Sequence, residues 1–297
     1  MSEEKVRSWK KIGVFYVLTL AFSALFQFLD LRANGNVILI TGVMWCPGLA
    51  AIATKRLFGE SLRELGWSWD SGRWPFRAYV IPVLYALPAY LVIWMSGLGG
   101  FYNVEFVAKV AKEYGLAPLS APFALIAYVL LSMTAGFIPK TARALGEEIG
   151  WRGLLVPELA KVTGFFGVGL ISGLMWAAWH FPEILFGTYN EGTPAWYALT
   201  CFTVMVVSSG FIAAWLRLRS GSVWPAAIYH GAHNMFVQLI FTPLTTNTGN
   251  TAWYIDEFGA GLAITTLIGA VIVWRKRHEL PMFAESSQRG GTVDALA

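Results

Sequence analysis

Charge is scarce in this sequence. Asp, Glu, Lys and Arg make up only 13% of its 297 residues, where a soluble globular domain carries about 25%. A domain with an ordinary polar surface is excluded by that shortage. Cysteine is rarer still. Cys46 and Cys201 stand alone inside apolar stretches, so neither a disulfide framework nor a cysteine-based metal centre is expected, and both read as small buried hydrophobes. No repeat of fixed period, soluble domain or long linker is visible, and no H-E-x-x-H metalloprotease spacing occurs.

What the chain has in quantity is apolar length. Its hydrophobic content is 56% and its mean hydropathy +0.54. Mostly apolar stretches long enough for a helix to cross about 30 Å of hydrocarbon lie near 13–31, 36–54, 76–96, 121–139, 164–186, 196–216, 222–242 and 258–274. They predict an all-α, polytopic membrane protein with eight spans. The first is too long for a signal peptide and no small-residue cleavage site follows it, so the N-terminus is expected to be retained. Residues 1–120 divide off as N-terminal helices with amphipathic surface segments near 57–74 and 102–118. Residues 121–242 form a polar-bearing core, 243–283 the last helix and its flank, and 284–297 a tail whose serines and glycines predict disorder.

Basic residues orient the bundle, because cytoplasmic connections hold the excess of Lys and Arg. With the N-terminus inside, all but Arg32, Lys109 and Lys112 of the 22 Lys and Arg residues fall on the inner side. This predicts a cell-membrane protein with both termini cytoplasmic. It also accounts for the net charge of +4 without nucleic-acid binding, which is not expected.

Against this background the stretch GEEIGWRG, 146–153, stands out. Beside hydrocarbon an unpaired charge costs about 2.5–3.5 kcal/mol on insertion scales, so these charges must be paired, wet or functional. Glu148 and Arg152 are four apart on a helix in the favourable acid-first order and can neutralise one another. Glu147 points about 100° away, with only Arg143 as a local cation, and is the freer carboxylate. In GLMWAAWHFPEILFG, Trp176 and His180 are four apart, just before Pro182; in WPAAIYHGAHNMF, His230 and Asn234 are four apart with His233 beside them. Each residue also has a structural reading. Glu148 with Arg152 is an internal pair, a histidine can bond a backbone carbonyl, and Trp176, Trp179 and His233 can be packing residues. Asp30, Glu183 and Glu191 lie at span ends and read as solvated. The clustering within 147–234, with nothing comparable in the first three spans, favours a site.

The three motifs in this order resemble the CPBP family of intramembrane proteases, which includes the type II CAAX prenyl endopeptidases and bacteriocin-immunity-like proteins. Its pattern of EExxxR, FxxxH and HxxxN is met by Glu147, Glu148 and Arg152, by His180, and by His230 and Asn234. Trp176 stands where the family usually has Phe. The resemblance covers roughly 121–242, a CPBP-like catalytic core, and implies hydrolysis of a peptide bond in a peptide or lipidated protein at the membrane lipid. Under it Glu147, assisted by His180, activates water, while His230 and Asn234 stabilise the oxyanion; Glu148, Arg152, Trp176 and His233 support them. Glu147, His180 and His230 are also a conceivable three-ligand set for Zn2+, and the resemblance is compatible with a metal-dependent or a metal-free glutamate mechanism. Lys140 and Arg143 flank the motif helix and place the entrance on the cytoplasmic side. Gly146, Gly150 and Gly153 are expected to let a substrate backbone approach. The alternatives are a proton-coupled transporter using the same acid and histidines, and a non-catalytic immunity or scaffold protein; oligomeric state is not legible.

Overall fold

The computed structural model describes residues 2–33, 35–69, 72–187, 189–190 and 192–281; Glu191 and the 284–297 tail lie outside them. Nine helices form among the described residues. Helix α1 (Glu3–Ala33) places Glu3 and Glu4 in its first turn and Arg32 in its last, complementing the helix dipole. Helix α2 (Val37–Leu57) begins at Asn36, whose carboxamide accepts the Ile38 and Leu39 N–H groups. Then come α3 (Arg73–Met95), the amphipathic α4 (Val104–Glu113), α5 (Ala121–Val162), α6 (Phe165–Phe186) and α7 (Ala195–Ser220). Helix α8 (Trp224–Met235) runs on through a wide π turn, Phe236–Phe241, to Leu244, and α9 spans Ala260–Arg275. Two-residue strands β1 (Gly100–Phe101) and β2 (Thr245–Thr246) pair antiparallel, Gly100 opposite Thr246. They tie the ends of α3 and α8 together.

The protein is an all-α polytopic integral membrane protein, with three departures from the expected plan. Among the described residues six helices rather than eight are long and apolar enough to cross a membrane by themselves. The expected seventh and eighth spans are α8, whose regular part is 12 residues before the π turn, and α9, with 16. The fourth does not stop near 139 but continues as a single helical run of 42 residues. Pro139 and Pro157 fail to break α5 because each lies two or three residues after a π turn, Ser132–Gly136 and Ile149–Leu155, where the i→i−4 ladder that proline disrupts is already interrupted. Finally, the amphipathic pattern at 102–118 forms α4, whereas the described residues between α2 and α3 hold a short 3-10 turn, Leu62–Leu65, closed by Gly66 at φ 87°.

The helices pack in a ring, α1–α2–α5–α8–α3–α9–α7–α6, which closes where α6 meets α1. Large apolar side chains such as Leu25, Leu84, Phe123 and Ile268 point outward, the arrangement expected where the surrounding solvent is lipid. At the N-terminal end buried ions fasten the ring. Lys11 Nζ donates to Glu158 and Glu60 at 2.7 Å each, and Lys55 Nζ to Glu60 and Glu64 at 2.8 and 2.7 Å. Burial opposes ionisation of Glu60, but hydrogen bonds from Lys11 and Lys55 outweigh it and hold the carboxyl down at about 2.

Candidate active site

The site begins where α5 changes its pitch. Glu147 and Glu148 end the regular stretch Phe137–Glu148, and the π turn that follows carries Arg152. Such turns widen the helix and redirect side chains. The glycines of this stretch are committed to packing and not to substrate approach. A Cβ on Gly146 would stand 2.7 Å from Trp45 Cγ and one on Gly150 2.6 Å from the Pro47 carbonyl oxygen, so α5 presses its backbone against α2 there.

Glu148 and Arg152 pair inside the protein, NH1 to Oε1 at 2.9 Å, with no exposure of either side chain. The same Oε1 accepts Nδ1–H of His230 at 3.0 Å, and the Arg152 guanidinium lies 4.1 Å from the Trp176 ring centre. Pair, ring and imidazole therefore fix one another across α5, α6 and α8. Glu147 is built differently. It is 1% exposed, makes no ion pair with Arg143, and its Oε2 accepts the Trp176 indole N–H at 2.8 Å. Among the described residues its Oε1 has no hydrogen-bond partner. The indole donor is a consequence of the departure from phenylalanine at 176, which would bring no N–H.

His180 is held by its own helix: Nδ1–H donates to the Trp176 carbonyl at 2.9 Å, the only role open to a proton facing a carbonyl oxygen, and Nε2 is left as an acceptor. Asn234 is 7% exposed and its carboxamide makes no hydrogen bond among the described residues. His233 is fully occupied, with Nε2 on Glu257 at 3.0 Å and Nδ1 on the Tyr85 hydroxyl at 2.6 Å. It has no nitrogen to spare for a substrate. Glu257 also accepts the Gln238 amide at 3.1 Å and the Tyr189 hydroxyl. These partners were not found from the sequence, since Tyr85, Tyr189 and Glu257 lie on three separate segments and no spacing joins them. Glu257 and its neighbour Asp256 stand in the α8–α9 connection. There burial works against ionisation, yet the hydrogen bonds of His233 and Tyr189 hold Glu257 below the usual carboxylate range, while burial and the adjacent Glu257 charge push Asp256 up.

A cavity of about 500 Å³ gathers Glu147, Trp176, His180, His230, His233 and Asn234 on its walls. The depths of His180 and His230, far apart when counted from the ends of their helices, are reconciled by the α7–α8 connection. That connection is sunk into the protein: Arg217 Nε donates to the Arg152 carbonyl at 2.9 Å and Val223 N–H to that of Gly66 at 2.8 Å. The other end of the cavity is bounded by Asp30, Gly35, Glu183, Tyr189 and Asp256, all at the bundle end opposite the N-terminus. Lys140 and Arg143, read as a cytoplasmic flank, instead line this cavity within α5, Lys140 bonding Gln238 at 2.7 Å. The lining residues thus extend from Glu147 toward the end of the bundle opposite the N-terminus. The first spans contribute after all, through Gln27 and Asp30 of α1, and Asp30 is 5% exposed and not bathed in water.

Glu147, His180 and His230 are the conceivable zinc donors. Among the described residues no group of three or more His, Cys, Asp and Glu side chains is close enough to hold an ion, and His230 Nδ1 is turned to Glu148. Glu147, His180 and His230 thus do not fit a preformed three-ligand centre.

Residues 120–236 match the sequence model of the family described as type II CAAX prenyl endopeptidase Rce1-like. A curated relative, CAAX prenyl protease 2 of Methanococcus maripaludis, is 30% identical over 101 residues, 32% of this chain and 36% of that protein. The similarity spans about a third of the relative's length. The matched segment contains every motif residue from Glu147 to Asn234 and ends before Asp256 and Glu257.

Proposed function

We propose, from the match of residues 120–236 to the Rce1-like family of type II CAAX prenyl endopeptidases and from the surroundings of Glu147, that the chain is a member of that family and an intramembrane endopeptidase acting on a membrane-associated, lipidated protein or peptide. The observation that carries the proposal is a buried carboxylate with one oxygen held by Trp176 and the other unbonded, in a cavity shared with the imidazoles of His180 and His230 and the free carboxamide of Asn234.

In the proposed reaction a water is held between Glu147 Oε1 and His180 Nε2. Glu147 takes its proton as the water oxygen attacks the carbonyl carbon, a contribution of about 10²–10⁴ in rate. The developing oxyanion accepts hydrogen bonds from the Asn234 amide and from Nε2–H of His230, whose doubly protonated ring is balanced by Glu148; each such donor is worth about 2.7–4 kcal/mol. Glu147 then delivers its proton to the amide nitrogen as the C–N bond breaks, leaving a carboxyl and an amine. No step uses a metal, in keeping with the donor geometry.

The names of the family and of the relative put a prenylated C-a-a-X terminus first among substrates. The test is mass spectrometry of such a peptide after incubation with the full chain in lipid nanodiscs. Cleavage by the wild type and none by Glu147→Gln is expected; an intact prenyl peptide in a preparation that cleaves unprenylated membrane peptides would remove prenylation from the proposal. Lys and Arg crowd the N-terminal end of the bundle, at Lys55, Arg56, Arg217, Arg219 and Arg275 among others. This supports a cell-membrane location with both termini cytoplasmic, which puts the cavity mouth on the far side.

A further inference from the structure

Two carboxylates at the cavity mouth have nothing to do in the proposed reaction. Asp30, near the end of α1, and Glu183, near the end of α6, both line the cavity and are close enough to feel each other's charge. Asp30 is 5% exposed. Its Oδ1 and the Oε1 of Glu183 are buried without a hydrogen-bond partner among the described residues. Among the described residues no cation pairs with either: the nearest in sequence, Arg32, lies over the Phe28 ring 4.4 Å from its centre. A buried acceptor left unmade is costly, more so when charged, and two on one cavity wall within reach of each other's charge add repulsion to desolvation.

The surroundings hold both acids in place. Gln27, one turn before Asp30, donates its amide to the Trp179 carbonyl at 3.2 Å, pinning the end of α1 to the helix that carries His180 and Glu183. Glu183 has Gly187 one turn on, where a Cβ would stand 2.6 Å from Oε2, so the absence of a side chain at 187 makes room for the carboxylate. The other acids of the cavity are differently placed: Glu257 is saturated by His233, Gln238 and Tyr189, and Lys140 sits on that side through Gln238. Glu147 is taken up by the Trp176 indole and the proposed reaction, which leaves Asp30 and Glu183 as acids with buried, unpartnered oxygens and no part in that reaction.

We infer that Asp30 and Glu183 form a subsite for a cationic hydrogen-bond donor of the substrate, a primary ammonium or guanidinium group. Such a group supplies donors for both orphaned oxygens and neutralises the pair, and charge-assisted bonds of this kind are the strong ones. Its distance from the chemistry follows from the helix. Glu183 is three residues beyond His180, hence about 5–6 Å from it on the surface of α6, and an extended peptide advances about 3.3 Å per residue. The cation therefore belongs to a Lys or Arg one or two residues from the bond cleaved. As a statement about substrate this rests on the proteolytic reading; as a statement about binding it does not. The same chemistry is offered by the amine of a lipid headgroup, and the test separates the two.

The test uses the full chain carrying Glu147→Gln, in phosphatidylcholine nanodiscs, and fluorescent apolar peptides that differ only in one central Lys, Arg or norleucine. Anisotropy should give a Kd at least about tenfold lower for Lys and Arg than for norleucine, about one power of ten for a single charge-assisted contact. Asp30→Asn with Glu183→Gln should bring the ratio to within about twofold, and Asp30→Glu should restore it. Each single variant reads the same ratio should the double variant fail to fold. Equal affinity for Lys and norleucine, or a preference that survives both substitutions, overturns the subsite. Phosphatidylethanolamine that is retained by the wild type, lost in the double variant and accompanied by no peptide preference overturns the substrate as the source of the cation. A peptide preference that stands while the wild type cleaves neither these peptides nor their prenylated counterparts would count against the protease and leave the subsite intact.

Discussion

At the level of single residues, two acids adjacent in sequence are assigned opposite tasks by their surroundings. Glu148 is tied to Arg152 and His230, whereas Glu147 has only the Trp176 indole. Substitution should separate them. Arg152→Ala strands Glu148 as a buried charge and should cost about 3–5 kcal/mol, read as a lower melting temperature and folded yield in detergent. Trp176→Phe keeps the aromatic body but removes the donor, and should lower kcat/KM roughly tenfold, since a hydrogen bond to a charged group is worth about 1.5–3 kcal/mol, with melting little changed. Unaltered melting of the first or unaltered turnover of the second would refute the division. The pairing of Glu148 with Arg152 was legible from their spacing of four. The indole bond was not, because the residues are 29 apart and only the packing of α6 on α5 brings them together. Asp30 was misread for a related reason: a carboxylate at a span end looks solvated until a second helix closes over it.

Among the elements, α5 shows both what periodicity gives and where it stops. Its apolar first half was visible as a span, but its continuation to Val162 was hidden by two prolines whose effect the π turns cancel. The association of α1 with the far end of α5 was equally hidden, because it depends on charges from three segments: Lys11, Glu60 and Glu158. This clamp makes a pH prediction. The Glu60 carboxyl is held at about 2 in the folded protein against about 4.3 in an unfolded chain. Its contribution is fully present above about pH 4.5 and is lost as the pH falls from there toward 2. Allowing for solvent screening it amounts to about 1–2 kcal/mol. Melting in detergent should therefore drop between pH 5 and 3, and Glu60→Gln, less stable at pH 7, should show a shallower drop. Parallel curves would mean that Glu60 is not part of a working clamp.

For the molecule as a whole, the fold class and the approximate spans followed from composition, since few structures satisfy backbone polar groups in lipid. The direction of the cavity did not. It depends on which ends of α1, α6 and α8 converge, and the basic residues that suggested an inner entrance, Lys140 and Arg143, proved to be cavity walls. In a background lacking Cys46 and Cys201, Ala195→Cys at the mouth end should react with an impermeant thiol reagent on intact cells. Ser220→Cys should react only after permeabilisation. The reverse pattern would invert the topology.

The central claim is that Glu147 activates water for peptide-bond hydrolysis within the membrane. The most direct measurement is a mass-spectrometric comparison of protein termini in membranes containing the wild type or Glu147→Gln at equal folded abundance. New carboxyl termini, each incorporating one oxygen from labelled water, should be present with the wild type and absent with the variant. Identical termini in the two membranes, or products that persist with Glu147→Gln, would contradict the account.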